Sequence, residues 1–253
     1  SDMKLLRKVV PSVFTCLGLI SGCISIIYSL QREMIIIASF FIIVAAIFDF
    51  LDGFFARILN SISDFGKQLD SLADIISFGL APSMIVYRLI LFSLVDAGLS
   101  VDKPGFNKTL ILYSAFLIVV FSALRLAKFN IDSEQKNSFK GLPTPASALL
   151  IASIGINSDV YFLPFEINEN VYNIYSLIFL IALIIIICIL LVSNIRMFSM
   201  KFVNLSFKDN SVRYLFVILS AIIIVILGVQ GLAPVIILYI LLSLINNWFV
   251  KME

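Results

Sequence analysis

Histidine is absent from the 253 residues, tryptophan occurs once and cysteine three times. The lack of histidine removes the usual general base near neutral pH and the commonest transition-metal ligand. Proton transfer and metal binding, if there are any, therefore fall to carboxylates. Cys16, Cys23 and Cys188 all stand inside apolar runs. On one helix Cys16 and Cys23 are separated by a rise of about 10.5 Å, beyond the roughly 7 Å a disulfide tolerates between Cα atoms. The three read as small packing residues. Charge is also scarce, at 13% of residues with a net charge of +2, which excludes the broad basic field that recruits nucleic acid.

What fills the chain instead is apolar: 61% of residues are hydrophobic, against about 45–50% in soluble domains. Runs near the ~20 residues needed to cross a bilayer occupy residues 9–30, 34–59, 69–94, 110–127, 143–163, 171–192, 212–229 and 232–249. The fold class expected is an all-α integral membrane protein of about eight transmembrane helices. Ser1 and Asp2, ahead of Met3, are expected to be foreign to the natural chain, and the first apolar run is too long for the core of a signal peptide.

Counting Lys and Arg in the short connections gives the orientation. All but four of the 18 basic residues fall on one side of this alternation; the exceptions are Arg32, Arg88, Lys103 and Lys108. Both termini are thus expected on the cytoplasmic side. The loop 93–108, with Gly98, Pro104 and Gly105, and the segment 159–170, which has no basic residue, fit the outer side.

Near the inner end of the second run stand Asp49 and Asp52, three residues apart and so on neighbouring positions of one helix face, a stripe that Ala56 continues. Asp70 and Asp74, four apart, share a face at the expected start of the third run. A polar turn over residues 60–64 joins the two. Four carboxylates at a membrane rim repel one another and are costly to desolvate unless a cation neutralises them. Oxygen-only ligation selects hard ions such as Mg2+, Mn2+ or Ca2+. Two divalent ions would bring four positive charges against four aspartates and leave open positions for an anionic substrate, a combination suited to phosphoryl chemistry. Gly53 and Gly66 remove side chains where a ligand approaches the backbone, and Arg57 offers a fork for phosphate. Intramembrane acids also serve ion transporters, but that reading gives Gly53, Arg57 and Gly66 no reason for their spacing.

The complete pattern is Asp49, Asp52-Gly53, Ala56-Arg57, Gly66, Asp70, Asp74. It resembles the motif of the CDP-alcohol phosphotransferase family, D-x2-D-G-x2-A-R-x8-G-x3-D-x3-D, at all eight fixed positions, where chance agreement is on the order of 10^-8. The resemblance implies transfer of a substituted phosphate from a CDP-linked donor to an alcohol, with release of CMP. It also implies a six-helix membrane core and a homodimer. By that resemblance Asp49, Asp52, Asp70 and Asp74 hold divalent metal, Asp74 acts as the general base, and Gly53, Ala56, Arg57 and Gly66 line the cytidine diphosphate pocket. Helices 1–6, residues 1–195, form the expected core; helices 7 and 8, residues 196–253, are an addition the motif does not explain. Asp64 is read either as the N-cap of the third helix or as a nucleotide contact.

Beyond the motif, Ser77-Phe78-Gly79 and Ala81-Pro82 after Asp74 resemble the serine-accepting branch of the family. Arg125, Lys128-Phe129-Asn130, Phe139, Lys140-Gly141, Pro143 and Pro145-Ala146 continue that resemblance. It implies CDP-diacylglycerol as donor and L-serine as acceptor; the same chemistry with glycerol 3-phosphate or inositol phosphate is the alternative. Ile75 stands where glycerol phosphate enzymes usually carry lysine. A zwitterionic acceptor needs a cation for its carboxylate, for which Arg125, Lys128 and Asn130 are candidates; simple anchoring at the basic side also explains the two cations. Ser77 is placed on the face of Asp70, Asp74 and Ala81, as an acceptor contact or a satisfied helix serine. Lys140 is a candidate phosphate contact. Where the branch carries Pro-Asn followed by Thr, this chain has Pro11-Ser12 and Thr15, leaving Thr15 as the candidate cytidine neighbour.

Overall fold

The computed structural model describes residues 2–61, 63–98, 105–131, 139–157, 169–198 and 207–250. Helix α1 (Asp2–Ser29) runs through Pro11 and starts earlier than its apolar stretch, because nothing in residues 2–8 breaks the helix. After a short turn, α2 (Ile35–Ile58) returns. It ends in a paired set of C-terminal bonds: the Ser61 N–H donates to the Ala56 carbonyl and the Asn60 N–H to that of Arg57. Asn60 carries the positive φ of 47° that closes such an end, a conformation asparagine tolerates better than most residues.

The next helix, α3 (Asp64–Asp74), begins five residues before the apolar stretch that announced it. Its cap is Ser63, whose extended backbone (φ −136°, ψ 154°) lets the side chain accept the Gly66 N–H. Asp64 is therefore the first helical residue and not the N-cap. Asp70 and Asp74 accordingly sit deeper in the helix than its first turn. A π-helical turn, Ile75–Leu80, leads into α4 (Ala81–Asp96). Pro82 has no N–H to offer the preceding turn, and the Ala81 N–H reaches back to the Ile76 carbonyl. This insertion turns the following residues off the helical phase, so Ala81 enters the core while Ser77 stays on the side of the aspartates.

Helices α5 (Phe106–Tyr113) and α6 (Leu117–Ile131) are joined by a 3-10 turn at Ser114–Phe116. A two-residue strand, β1 (Phe139–Lys140), pairs antiparallel with β2 (Arg196–Met197). Between them lie α7 (Thr144–Ile156) and α8 (Glu169–Val192). The chain finishes with α9 (Phe207–Leu227) and α10 (Leu232–Val250).

Among the described residues, six helical stretches are long and apolar enough to cross a membrane: Val9–Ser29, Arg32–Ile58, Asp64–Asp96, Asn107–Ile131, Asn173–Val192 and Asn210–Asn247. The last is two helices folded back on each other. The Phe216 and Tyr239 rings lie 5.7 Å apart, whereas a straight helix would separate them by about 34 Å. Gly228, with φ +59°, makes the turn. The fifth expected span appears as the 13-residue α7; residues 158–163 of that span lie outside the described residues, as do Lys103, residues 99–104 of the expected outer loop and residues 159–168 of the second outer segment. The protein is thus an all-α integral membrane protein.

The core runs along the inner faces of α2, α4, α6, α7 and α8 through Ile42, Ile85, Ile118, Ile151 and Ile187. With lipid tails as apolar as leucine, such helices are held by close packing and hydrogen bonds more than by hydrophobic transfer. Small residues therefore mark the tightest crossings. A Cβ on Gly22 would stand 2.7 Å from the Cα of Ser77, so α1 presses its backbone onto the π turn beside the aspartates.

Candidate active site at the helix ends

The turn after α2 returns the chain as α3, which packs against α1, and three motif aspartates come together. One carboxylate oxygen from each of Asp49, Asp70 and Asp74 lies within 4.8 Å of the others, and Asp74 is the most buried. Asp52 goes elsewhere. Three residues leave Asp52 about 60° around the helix from Asp49, on the same face but turned toward α1. There Thr15 donates its hydroxyl to Asp52 Oδ2 at 2.7 Å, with the Pro11 carbonyl 3.2 Å away. The four carboxylates, Thr15, Gly18 and Ser77 line one cleft.

Other expected site residues are placed differently. Ser77 lines the cleft, but its hydroxyl donates to the Gly18 carbonyl at 3.1 Å. Gly53, Ala56, Arg57 and Gly66 lie outside that lining. Around Gly53 a Cβ would meet nothing within 4 Å, while one on Gly66 would stand 3.1 Å from Ser63 Oγ. Arg57 is exposed. Among the candidates for the acceptor, Arg125 is buried on α6, interacts electrostatically with Asp74, and has an Nε with no hydrogen-bond partner among the described residues. Its guanidinium lies 5.9 Å from the Phe129 ring. Lys128 instead donates to Asn194 at 3.0 Å, and Asn130 pairs with Ser71. Lys140 sits in β1 across from Arg196.

Ser71, Asn194 and Gly18 were not singled out from the sequence. The signal for Gly18 was available: with Gly22 it makes a small-xxx-small pair in an apolar helix, the pattern of a close helix crossing. Ser71 and Asn194 had no such signal, since their partners are remote in sequence.

The donor set fits a hard divalent cation. Three carboxylates are held within 4.8 Å, and among the described residues no Lys or Arg forms an ion pair with any of them. Like charges so close in a low-dielectric setting need a counter-charge, and oxygen ligands alone suit an ion of the Mg2+, Mn2+ or Ca2+ kind.

The fold and the cleft define the class: a polytopic helical membrane protein with a cluster of carboxylates in a cleft lined by α1, α2, α3 and the π turn. Residues 8–186 match the CDP-alcohol phosphatidyltransferase family, to which the chain belongs. The CDP-diacylglycerol–serine O-phosphatidyltransferase of Helicobacter pylori is 36% identical over 143 residues, 56% of this chain and 54% of that protein. The enzyme of the same name in Bacillus subtilis is 34% identical over 142 residues, 56% of this chain and 72% of that protein. An archaetidylserine synthase of Methanothermobacter thermautotrophicus is 34% identical over 145 residues, 56% of each chain. The chain spans about half the length of the Helicobacter relative it matches.

Proposed function

We propose that the protein transfers the phosphatidyl group of CDP-diacylglycerol to L-serine, forming phosphatidylserine and CMP. The observation that carries the transferase reading is the convergence of Asp49, Asp70 and Asp74 in one cleft with Asp52 beside them. Serine is favoured because the names of relatives in two domains of life differ in their lipid half and agree in serine.

In this reading the serine hydroxyl oxygen attacks the phosphorus bonded to diacylglycerol. The new O–P bond forms as the bond to CMP breaks, in line, and CMP leaves as an anion. Asp74 takes the hydroxyl proton; a carboxylate has two oxygens, so one can face a cation while the other receives the proton. Asp49, Asp70 and Asp74, with Asp52 adjoining, would hold divalent metal, one ion or two, which when bound would supply charge stabilisation for the pyrophosphate and the departing CMP. Arg125, buried beside Asp74, is the cation that faces the serine carboxylate. Lys128 and Asn130 support that side through Asn194 and Ser71. Thr15 orients Asp52 from the cytidine side. Gly53, Ala56, Arg57, Gly66 and Lys140 border the donor's nucleotide and phosphates outside the cleft proper.

The basic bias of the connections puts this cleft at the cytoplasmic side of the cell membrane. Lipid tails then enter between helices while serine and the nucleotide meet in the mouth. Residues 1–195 form the core, residues 196–253 are an added helix pair, and two copies associate as a homodimer.

The test is CMP release by purified protein with CDP-diacylglycerol, Mg2+ or Mn2+, and separate serine, glycerol 3-phosphate and inositol phosphate. Release with serine alone is expected. Release only with another alcohol overturns the acceptor, and no release with any alcohol overturns the transferase reading.

A further inference from the structure

At the end of the bundle remote from the aspartates, α4 carries an arginine that forms no ion pair among the described residues. Arg88 lies within the membrane stretch Asp64–Asp96, about 12 Å along the helix from Asp96. Its guanidinium is always charged and presents five N–H donors. Among the described residues it makes no ion pair and no hydrogen bond, and its Nε is buried without a partner. Its guanidinium lies over the Phe92 ring, 4.8 Å from Cζ to the centroid.

The carboxylate of Asp96, at the end of the same helix, is engaged by another arginine. Asp96 accepts from Arg32 through both oxygens, at 3.0 and 2.5 Å. Arg32 lies over the same Phe92 ring, at 4.9 Å. Two guanidiniums therefore share one aromatic ring, and that of Arg88 has no carboxylate paired with it among the described residues. Such a charge is costly in hydrocarbon unless an anion meets it. Next to Arg88, Tyr87 stacks on Tyr113, at 6.2 Å between centroids, and Tyr113 is exposed. Tyrosines concentrate at headgroup level, so the arginine stands near the depth of lipid phosphates.

We infer that Arg88, with Arg32 and Phe92 behind it, binds the phosphodiester of an anionic phospholipid in the leaflet opposite the aspartate cleft. Two non-bridging phosphate oxygens match the fork of a guanidinium, and a lipid brings them from the membrane side where a soluble anion does not reach. This lipid is bound at the far end of the bundle from the chemistry and is neither donor nor product. The inference does not depend on which reaction the cleft performs.

Native mass spectrometry of the detergent-purified full chain, titrated with phosphatidylglycerol, tests it. The wild type is expected to hold one lipid that Arg88→Gln binds about tenfold more weakly, the loss of roughly one charge-assisted contact. Millimolar inorganic phosphate is expected not to displace it. Equal affinity in wild type and Arg88→Gln overturns the site, and displacement by phosphate overturns the lipid as its occupant. Should Arg88→Gln not purify folded, Arg88→Lys keeps the charge and loses the fork; about threefold weaker binding is expected, and unchanged binding overturns the assignment.

Discussion

Thr15 of α1 donates its hydroxyl to Asp52 of α2 across 2.7 Å. This bond separates Asp52 from Asp49, Asp70 and Asp74, whose oxygens face one another. A hydrogen bond to a charged group contributes about 1.5–3 kcal/mol, so Thr15→Val is expected to lower CMP release roughly tenfold to a hundredfold. Thr15→Ser, which keeps the hydroxyl, should retain most of the activity. Equal activity in Thr15→Val and wild type would show that the bond does not set the position of Asp52.

The same split predicts unequal metal phenotypes. Asp49→Asn and Asp70→Asn each remove a charge from the three-carboxylate cluster and should weaken Mn2+ binding by at least about tenfold, read by electron paramagnetic resonance of the free ion. Asp52→Asn should weaken it less. Removal of divalent ions with a chelator should abolish CMP release, and added Mg2+ or Mn2+ should restore it.

Gly22 and Gly53 provide opposite controls. A Cβ on Gly22 meets the Ser77 backbone at 2.7 Å, whereas one on Gly53 meets nothing within 4 Å. Gly22→Ala should therefore cost about 1–3 kcal/mol of stability, the range for overpacking, and should disturb Asp74 through the π turn. Gly53→Ala should leave thermal stability unchanged. If the donor approaches the backbone there, KM for CDP-diacylglycerol should rise; an unchanged KM would place the donor elsewhere.

How much of this was legible in the sequence depends on the distance over which each feature is decided. The apolar runs and the spacing of Asp49, Asp70 and Asp74 are local, periodic signals, and they placed the helices and the carboxylates on the right elements. The N-cap was misplaced by one residue because Ser63 and Asp64 are both good caps, and only backbone geometry chooses between them. The π turn has no composition of its own; Pro82 marks where the regular ladder must fail but not how it is repaired. The bonds of Thr15 to Asp52, Asn130 to Ser71 and Lys128 to Asn194 join separate elements, so no periodicity announces them. The hairpin of α9 and α10 was readable, since Gln230 and Gly231 interrupt the apolar run. Its packing against the segment before it was not.

That packing gives a test of the C-terminal pair. Tyr239 on α10 donates its hydroxyl to the Phe198 carbonyl at 3.1 Å and stacks edge-on against Phe198 and Phe216. Through this residue α10 holds the stretch that carries β2, and β2 pairs with the strand bearing Lys140. Tyr239→Phe should lose about 1 kcal/mol, one net hydrogen bond, and Tyr239→Ala about 3–5 kcal/mol, as for other buried aromatics. Both are read by thermal denaturation in detergent. A negligible effect of Tyr239→Ala would mean that the core stands without this pair.

Asp74 carries the most exposed part of the mechanism. It is the most buried of the three clustered aspartates and has Arg125 within electrostatic reach. Asp74→Asn keeps size and one acceptor oxygen but cannot take the proton. If Asp74 is only a ligand, the variant should weaken metal binding, and high Mn2+ should recover turnover. If it is the base, kcat should stay at least about a hundredfold down at saturating metal, with KM for CDP-diacylglycerol little changed. Recovery of wild-type turnover at high Mn2+ would move proton transfer to another group, and with no histidine in the chain the remaining cleft candidates are Asp49, Asp52 and Asp70.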